Sequence, residues 1–340
     1  MQAGHDDLDD CVAAEMRVQG IPGVSLAIVR EHRIAAARVY GHVAAGESAA
    51  VDPETLFQAA SISKVAVALA ALMLAEKGVL ALDEDVNGML TSWKLPENEF
   101  TQDQKVTVRR ILSHRGGVSV HGFPGYARGR PVPALTEILD GKGYANTSPI
   151  RVESEPGSSR KYSGGGYTVL QQLMIDVTGK PFPTLMREMI LDPLKMERST
   201  FEQPLPAAWH GSAACGHMRE LGRFRGDWNV YPEMAAAGLW STPSDLARLV
   251  IALQHAIAGH AGVISPAIAA AMTTPVVPGQ GLGLLIFGVK NRVYGHEGRT
   301  MGFDSWLHGS PDKGVVMMIN ANDDSRALKR ILKAAWDASL

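Results

Sequence analysis

The distribution of strand and helix patterns along the chain constrains its fold more than any other sequence feature. An apolar run at 24–29 reads as a strand, and 34–43 follows it as a hairpin partner. Strand patterns then return only after residue 281, and the apolar residues between them recur mostly at helical spacing. The four late candidate strands are 282–290, 292–297, 305–309 and 314–320. One sheet containing strands from both ends is the economical arrangement, because the chain between them can then form an inserted unit.

We therefore predict an α/β fold of the α+β type. Its antiparallel sheet is built from both chain ends with flanking helices, and a mostly helical domain is inserted. The predicted sheet domain comprises 1–60 and 236–340, and the predicted helical domain comprises 61–235. A functional site is expected in the cleft between the two.

Helices are predicted where apolar residues recur every three or four positions. A Gly-, Pro- and Arg-rich stretch at 116–133 is instead predicted to be a long loop, and loops of that length in compact proteins are often functional. The predicted helices are 6–19, 64–77, 106–112, 167–177, 183–191, one capped by Thr242 that runs to about 258, and 325–340.

Charge and composition exclude several classes of protein. Lys and Arg number 33 and Asp and Glu number 35, so no basic surface for nucleic acid is expected. Two cysteines do not make a disulfide framework. The first residues are polar and acidic, and the apolar run at 65–75 is too short to span a bilayer. We expect a cytoplasmic protein, or a periplasmic or secreted one if a leader has been removed, with its oligomeric state open.

The tetrapeptide from Ser61 to Lys64 carries the strongest chemical signal. It opens a long apolar helix, on which residues three apart share a face, so the Lys64 amine can reach the Ser61 hydroxyl. A desolvated lysine can act as the base that a serine nucleophile needs. A serine helix cap followed by a surface lysine would give the same pattern. The same spacing also occurs at Ser158 and Ser310, but there in a loop and a turn.

Two further segments complete the pattern. Tyr162 lies in a Gly-rich turn before a predicted helix, about 100 residues after Ser61. His296, Glu297 and Gly298 lie on a late predicted strand, where a glycine allows close approach of a ligand. By itself, Tyr162 could equally be an ordinary packed tyrosine. By themselves, residues 296–298 could equally be a turn at the end of a strand.

In this order and spacing, the three segments resemble the serine β-lactamase and penicillin-binding-protein superfamily, in particular its class C-like branch. That branch includes β-lactamase-like esterases, D,D-peptidases and D-amino-acid hydrolases. The segments 111–117 and 237–245 are also similar to recurrent segments of that family. The resemblance extends from about residue 8 to residue 339.

The resemblance implies roles for individual residues. Ser61 would be the acylated nucleophile, and Lys64 and Tyr162 would share proton transfer. The backbone N–H groups of Ser61 and Arg299 would form the oxyanion hole. The substrate-binding residues would be Gly164, His296, Glu297 and Gly298, with His296 at the cleft edge.

Two departures from the family pattern bear on the substrate. Gly164 stands where relatives carry an asparagine, and His296 stands where relatives often carry a lysine. We expect a serine hydrolase of small carboxylic esters without a metal or organic cofactor. The alternatives are a D-amino-acid amidase or peptidase, including a D,D-peptidase, with weak β-lactamase activity, and a protein that binds acyl groups without turnover.

Overall fold

The computed structural model describes residues 3–219, 222–288, 292–322 and 325–338. The last two residues of the predicted strand 282–290 and of the predicted helix 325–340 lie outside these ranges. Within them the strands are β1 (Gly23–Arg30), β2 (Arg33–Gly41), β3 (Phe57–Gln58), β4 (Tyr126–Ala127), β5 (His217–Met218), β6 (Gly222–Arg223), β7 (Asn229–Val230), β8 (Trp240–Ser241), β9 (Leu285–Gly288), β10 (Val293–Thr300), β11 (Phe303–Gly309) and β12 (Lys313–Ile319).

A six-stranded antiparallel sheet joins the two chain ends, in the order β2-β1-β12-β11-β10-β9. The first and last long strands are direct neighbours, with Val24 opposite Ile319 and Arg30 opposite Lys313. The strand pairing therefore confirms the predicted sheet. β1 and β12 are neighbours in the sheet although most of the chain separates them in sequence.

Both faces of this sheet are covered, which explains why β1 is apolar at almost every position. Ala27 and Val29 face a large core shared with the helices of the middle of the chain. Leu26 and Ile28 alternate to the opposite face, where they pack with apolar residues of the first and last helices. Strands buried on both faces lose the alternation of apolar and polar residues.

Helices cover both faces of the sheet, and most of them come between β2 and β9 in the sequence. The described residues include the predicted helices at or close to their predicted positions. They also include helices that were not predicted, at Val86–Met89, Leu135–Asp140, Met234–Ala237 and Pro266–Thr273. The helices are α1 (Ala3–Gln19), α2 (Ser63–Glu76), α3 (Val86–Met89), α4 (Val108–Leu112), α5 (Leu135–Asp140), α6 (Gly164–Thr178), α7 (Phe182–Met186), α8 (Met234–Ala237), α9 (Pro243–Ile257), α10 (Pro266–Thr273) and α11 (Ser325–Asp337). A π-helical segment at Arg187–Leu191 continues α7.

The middle of the chain also contains short strand pairs, which the sequence patterns did not predict. β4 lies inside the predicted loop 116–133 and pairs with β7, which is about 100 residues away. β3 pairs with β8 in the same way. Two-residue strands have no detectable period, and these two pairs form only because distant segments approach each other.

The division into domains 1–60 with 236–340 and 61–235 stays a prediction. One apolar cluster includes sheet residues such as Val316 and helical residues such as Leu69 and Leu170. The core is therefore continuous across the predicted boundary.

Candidate active site

Ser61 lies on a tight turn that leads directly into a buried helix. Residues Ala60–Ile62 form a single 3₁₀ turn, and α2 begins at Ser63. Ala60 has a φ of 51°, a left-handed conformation that costs energy for any residue with a Cβ. Because α2 is apolar on all sides, packing carries Lys64 into the core, where it is only 2% exposed.

The Ser61 hydroxyl is contacted by two side chains that could transfer its proton. The Lys64 Nζ lies 2.9 Å from Ser61 Oγ. The Tyr162 hydroxyl lies 2.8 Å from the same oxygen. The structure therefore brings together the three residues predicted to be catalytic, although Tyr162 is separated from Ser61 by 101 positions.

The backbone of α8 holds Lys64 in this position. Its Nζ donates a second hydrogen bond, of 2.6 Å, to the Ala236 carbonyl. The Ser63 hydroxyl makes a similar link between the Ser61 turn and the residues just after α8. It donates to the Ala60 carbonyl and accepts from the Leu239 N–H at 3.0 Å. Ser63, the third residue of the motif, thus has a structural role.

The Tyr162 ring packs against two histidine rings. Its centroid is 4.3 Å from that of His114 and 4.9 Å from that of His121. The His114 Nδ1 accepts the Ser163 N–H at 3.2 Å, and Ser163 in turn caps α6 through its hydroxyl. Burial, with the charge of Lys64 as a second cause, lowers the pKa of His114 well below its usual value. His114 is therefore a neutral acceptor that fixes the backbone next to Tyr162.

β10 forms the opposite wall of the site, and part of one edge of this strand is not paired with another strand. β9 pairs with β10 only as far as Gly295, and no other strand in the described ranges covers the rest of that edge. A Cβ at Gly298 would stand 2.5 Å from the Ala59 carbonyl oxygen, so glycine is required for β10 to pass this close to the Ser61 turn.

A cavity of about 340 Å³ lies between these walls. It is lined by Ser61 and Tyr162, by residues of the loop 116–133 and by residues of β10 and β11. The lining residues are Ser61, His121, Gly122, Tyr162, Glu297, Gly298, Arg299, Asp304 and Trp306.

Two predicted substrate-binding residues do not line this cavity. His296 is only 4% exposed and lies beside Tyr162, with ring centroids 6.2 Å apart, rather than at the cleft edge. Burial, followed by the charge of Lys64, lowers the pKa of His296 to about 3, so its ring is neutral near pH 7. Gly164 is buried under the loop, and a Cβ there would be 3.0 Å from the His121 carbonyl oxygen and 3.1 Å from the Phe123 ring.

Four lining residues were not found from the sequence. His121 and Gly122 come from the predicted long loop, whose length indicated a function but no particular residue. Asp304 and Trp306 lie on β11, directly opposite Arg299 and Glu297 on β10. The predicted strand 305–309 included Trp306 but not Asp304, and the strand pairing that brings both residues to the site could not be read from the sequence.

Neither a metal site nor a membrane span emerges from the described part of the chain. No group of three or more His, Cys, Asp or Glu side chains there is placed to hold a metal ion. None of the helices in those ranges has the length and apolarity that crossing a bilayer requires.

Comparison with known proteins agrees with this geometry. The family model described as Beta-lactamase matches residues 8–339, which is almost the whole chain. The chain belongs to the beta-lactamase family. The predicted resemblance to the serine β-lactamase and penicillin-binding-protein superfamily is thereby confirmed, and members of this family are serine hydrolases.

Individual family members differ in what they do. Penicillin-binding protein 4 of Amycolatopsis lactamdurans is 27% identical over 328 residues, which cover 89% of this chain and 81% of that protein. The hydrolase EstCE1, described as having promiscuous acyltransferase activity, has a similar fold, with a TM-score of 0.79, 20% identity and coverage of 98% and 99% of the two chains. The D-amino acid amidase of Ochrobactrum anthropi SV3 has a TM-score of 0.76, 21% identity and coverage of 96% and 98%. At these identities, the two structures show a common fold.

Proposed function

We propose that this protein is a serine hydrolase that cleaves small carboxylic esters through an acyl-enzyme. The observation that carries the proposal is the position of Ser61 Oγ, within 2.9 Å of the Lys64 amine and 2.8 Å of the Tyr162 hydroxyl. A nucleophile within hydrogen-bond reach of a base, which is itself held in place, is the arrangement needed for covalent catalysis.

The proposed reaction has two steps. The unit of Lys64 and Tyr162 accepts the Ser61 proton while Oγ attacks the ester carbonyl, and the backbone N–H groups of Ser61 and Arg299 stabilise the oxyanion. The same unit returns the proton to the leaving alcohol, which departs as the C–O bond breaks. Water then attacks the acyl-enzyme by the same route, which releases the carboxylic acid and restores Ser61.

The two positions at which this chain departs from the family pattern, Gly164 and His296, favour an ester over a β-lactam. A β-lactam presents a carboxylate and an acylamino group, and both need partners once they are desolvated. His296 is buried and neutral, so it brings no cation to a carboxylate. Gly164 is buried and has no side-chain amide to offer. A simple ester requires neither partner, and an alkoxide leaves with less help from an acid than an amine does.

Mass spectrometry of the intact protein tests the proposal. The protein is exposed to short-chain 4-nitrophenyl esters, D-amino-acid amides and cephalosporins, and hydrolysis of each is followed in parallel. We expect an acyl adduct on Ser61 from the esters, and a higher kcat/KM for them than for the other two classes. A cephalosporin or a D-amino-acid amide that is turned over faster than every ester would refute the ester assignment and support the amidase, peptidase or β-lactamase alternative. An adduct that forms without turnover would support an acyl-binding protein.

Matched serine variants locate the chemistry. Ser61→Ala is expected to lose about 10³-fold or more in rate, because the acylated group is removed. Ser158→Ala is the control, since Ser158 also begins a Ser-x-x-Lys sequence but its hydroxyl donates to the Glu155 carbonyl in a turn. Near-normal turnover by folded Ser61→Ala would mean that another residue is the nucleophile.

A further inference from the structure

The charged side chains that line the cavity are Glu297, Arg299 and Asp304. Two of them neutralise each other. The Arg299 Nε and Nη2 each donate to a different Asp304 carboxylate oxygen, both at 2.6 Å. The Asp304 side chain is 1% exposed, so its charge depends on this pairing. The guanidinium face that would best recognise a substrate carboxylate is thus already occupied.

Glu297 is different. It is exposed, and its carboxylate makes no hydrogen bond or ion pair with any residue that the structure describes. Because side chains alternate along a strand, Glu297 lies on the same face of β10 as Arg299. Gly298 lies on the other face, which is turned towards the Ser61 turn. Glu297 also lines the cavity that contains Ser61, so its charge is available at the rim, next to the unpaired edge of β10.

The positively charged group deeper in the site, Lys64, does not line the cavity and so cannot pair directly with a substrate at the rim. Lys64 is 2% exposed and holds both Ser61 and the Ala236 carbonyl. His296 is buried and neutral, and the cavity lining includes no lysine. A substrate therefore meets a carboxylate at the rim, and the cationic side chain there is already paired.

We infer that Glu297 makes this cavity select esters that carry an ammonium group and discriminate against esters that carry a carboxylate. The inference rests on the proposed esterase function and specifies its substrate class. The Glu297 carboxylate attracts a substrate ammonium, both as the substrate approaches and in the transition state, and it repels a substrate carboxylate in the same way. For a solvent-exposed pair, this amounts to a change of up to about fivefold in kcat/KM in each direction.

Three aryl esters of similar shape test the inference. Butanoate is the neutral reference, 3-aminopropanoate replaces its terminal methyl by an ammonium, and hemisuccinate carries a carboxylate. A second series places the same three groups on the alcohol, so that both sides of the ester are sampled. In at least one series, we expect the order ammonium, neutral, carboxylate, with steps of up to about fivefold in kcat/KM. The steps should shrink as the salt concentration rises from about 0.01 M to about 1 M.

Glu297→Gln removes the charge and keeps the shape of the side chain. We expect it to bring the ratio of ammonium ester to neutral ester close to one. Glu84→Gln is the matched control, because Glu84 is also exposed and its loss changes the net charge equally, but it does not line the cavity. Ratios that are the same in wild type and Glu297→Gln, or a wild type that prefers the carboxylate ester in both series, would overturn the inference.

The failure of this inference and the failure of the proposed function give different results. If Ser61→Ala abolishes hydrolysis of the neutral ester while charge has no effect, only the role of Glu297 is wrong. If no ester is hydrolysed in a Ser61-dependent way, the proposed function fails and the inference fails with it.

Discussion

Glu233 is a buried carboxyl group whose replacement has a calculable effect on stability. It lies just before α8 and is completely shielded from solvent. Neither of its carboxyl oxygens has a hydrogen-bond partner among the described residues. Burial raises the pKa of Glu233 from 4.5 to about 8, so the folded protein holds the group neutral at pH 7.

The pKa difference determines how stability depends on pH. Between pH 4.5 and about 8, the folded state keeps a proton on Glu233 that the unfolded state has released. The free energy of unfolding therefore falls as the pH rises through this window. The cost reaches about 3 kcal/mol at pH 7 and about 5 kcal/mol above the folded-state pKa, at 1.36 kcal/mol for each pH unit.

Glu233→Gln should remove this cost, because an amide has nearly the same shape and never becomes charged. We expect the variant to be more stable than wild type by about 3 kcal/mol at pH 7 and by under about 1 kcal/mol near pH 5. Urea unfolding followed by tryptophan fluorescence at several pH values measures the difference. Glu84→Gln, an exposed control, should follow wild type throughout.

Parallel stability curves for wild type and Glu233→Gln from about pH 5 to about pH 8.5 would refute the reasoning, since the group would then not change its protonation on folding. A variant less stable than wild type at pH 7 would show that the carboxylate has a partner which the amide cannot replace.

Two further predictions concern the catalytic centre. Lys64→Ala and Tyr162→Phe should each abolish most turnover, and the double variant should be little worse, because both contact the same oxygen and act as a unit; losses in kcat that simply multiply would show independent roles. His296→Lys should lower the free energy of unfolding by about 2 to 4 kcal/mol at pH 7 without increasing cephalosporin turnover, because it buries an ammonium close to that of Lys64. Neutral His296→Asn should cost less in urea unfolding, and a stable His296→Lys that hydrolyses cephalosporins would contradict the buried placement of this residue.

Local sequence determined those features that depend on neighbours in the chain. The apolar run at 24–29 was enough to predict β1, and the spacing of Ser61 and Lys64 was enough to predict that they share a face. The three-residue spacing occurs in the structure as a 2.9 Å contact. Placing strands at both ends also predicted the shared sheet, since β1 and β12 bury their apolar residues only when a neighbour covers them.

The role of Tyr162 depended on more than spacing. Its own segment was compatible with an ordinary packed tyrosine, and only the family pattern singled it out. Its 2.8 Å contact with Ser61 exists only in the folded protein, because 101 positions separate the two residues.

The tertiary structure alone decided the exposure and charge of the groups around the site. His296 and Glu297 are adjacent on one strand, yet the first is buried and neutral and the second is exposed at the cavity rim. Which of the two faces the core depends on the register of β10 against β11 and on the approach of the Ser61 turn. The pairing of Arg299 with Asp304 across those strands likewise leaves Glu297 as the charge at the rim. Desolvation and Coulomb interactions act between residues that are close in space, so a pattern along the chain cannot contain them.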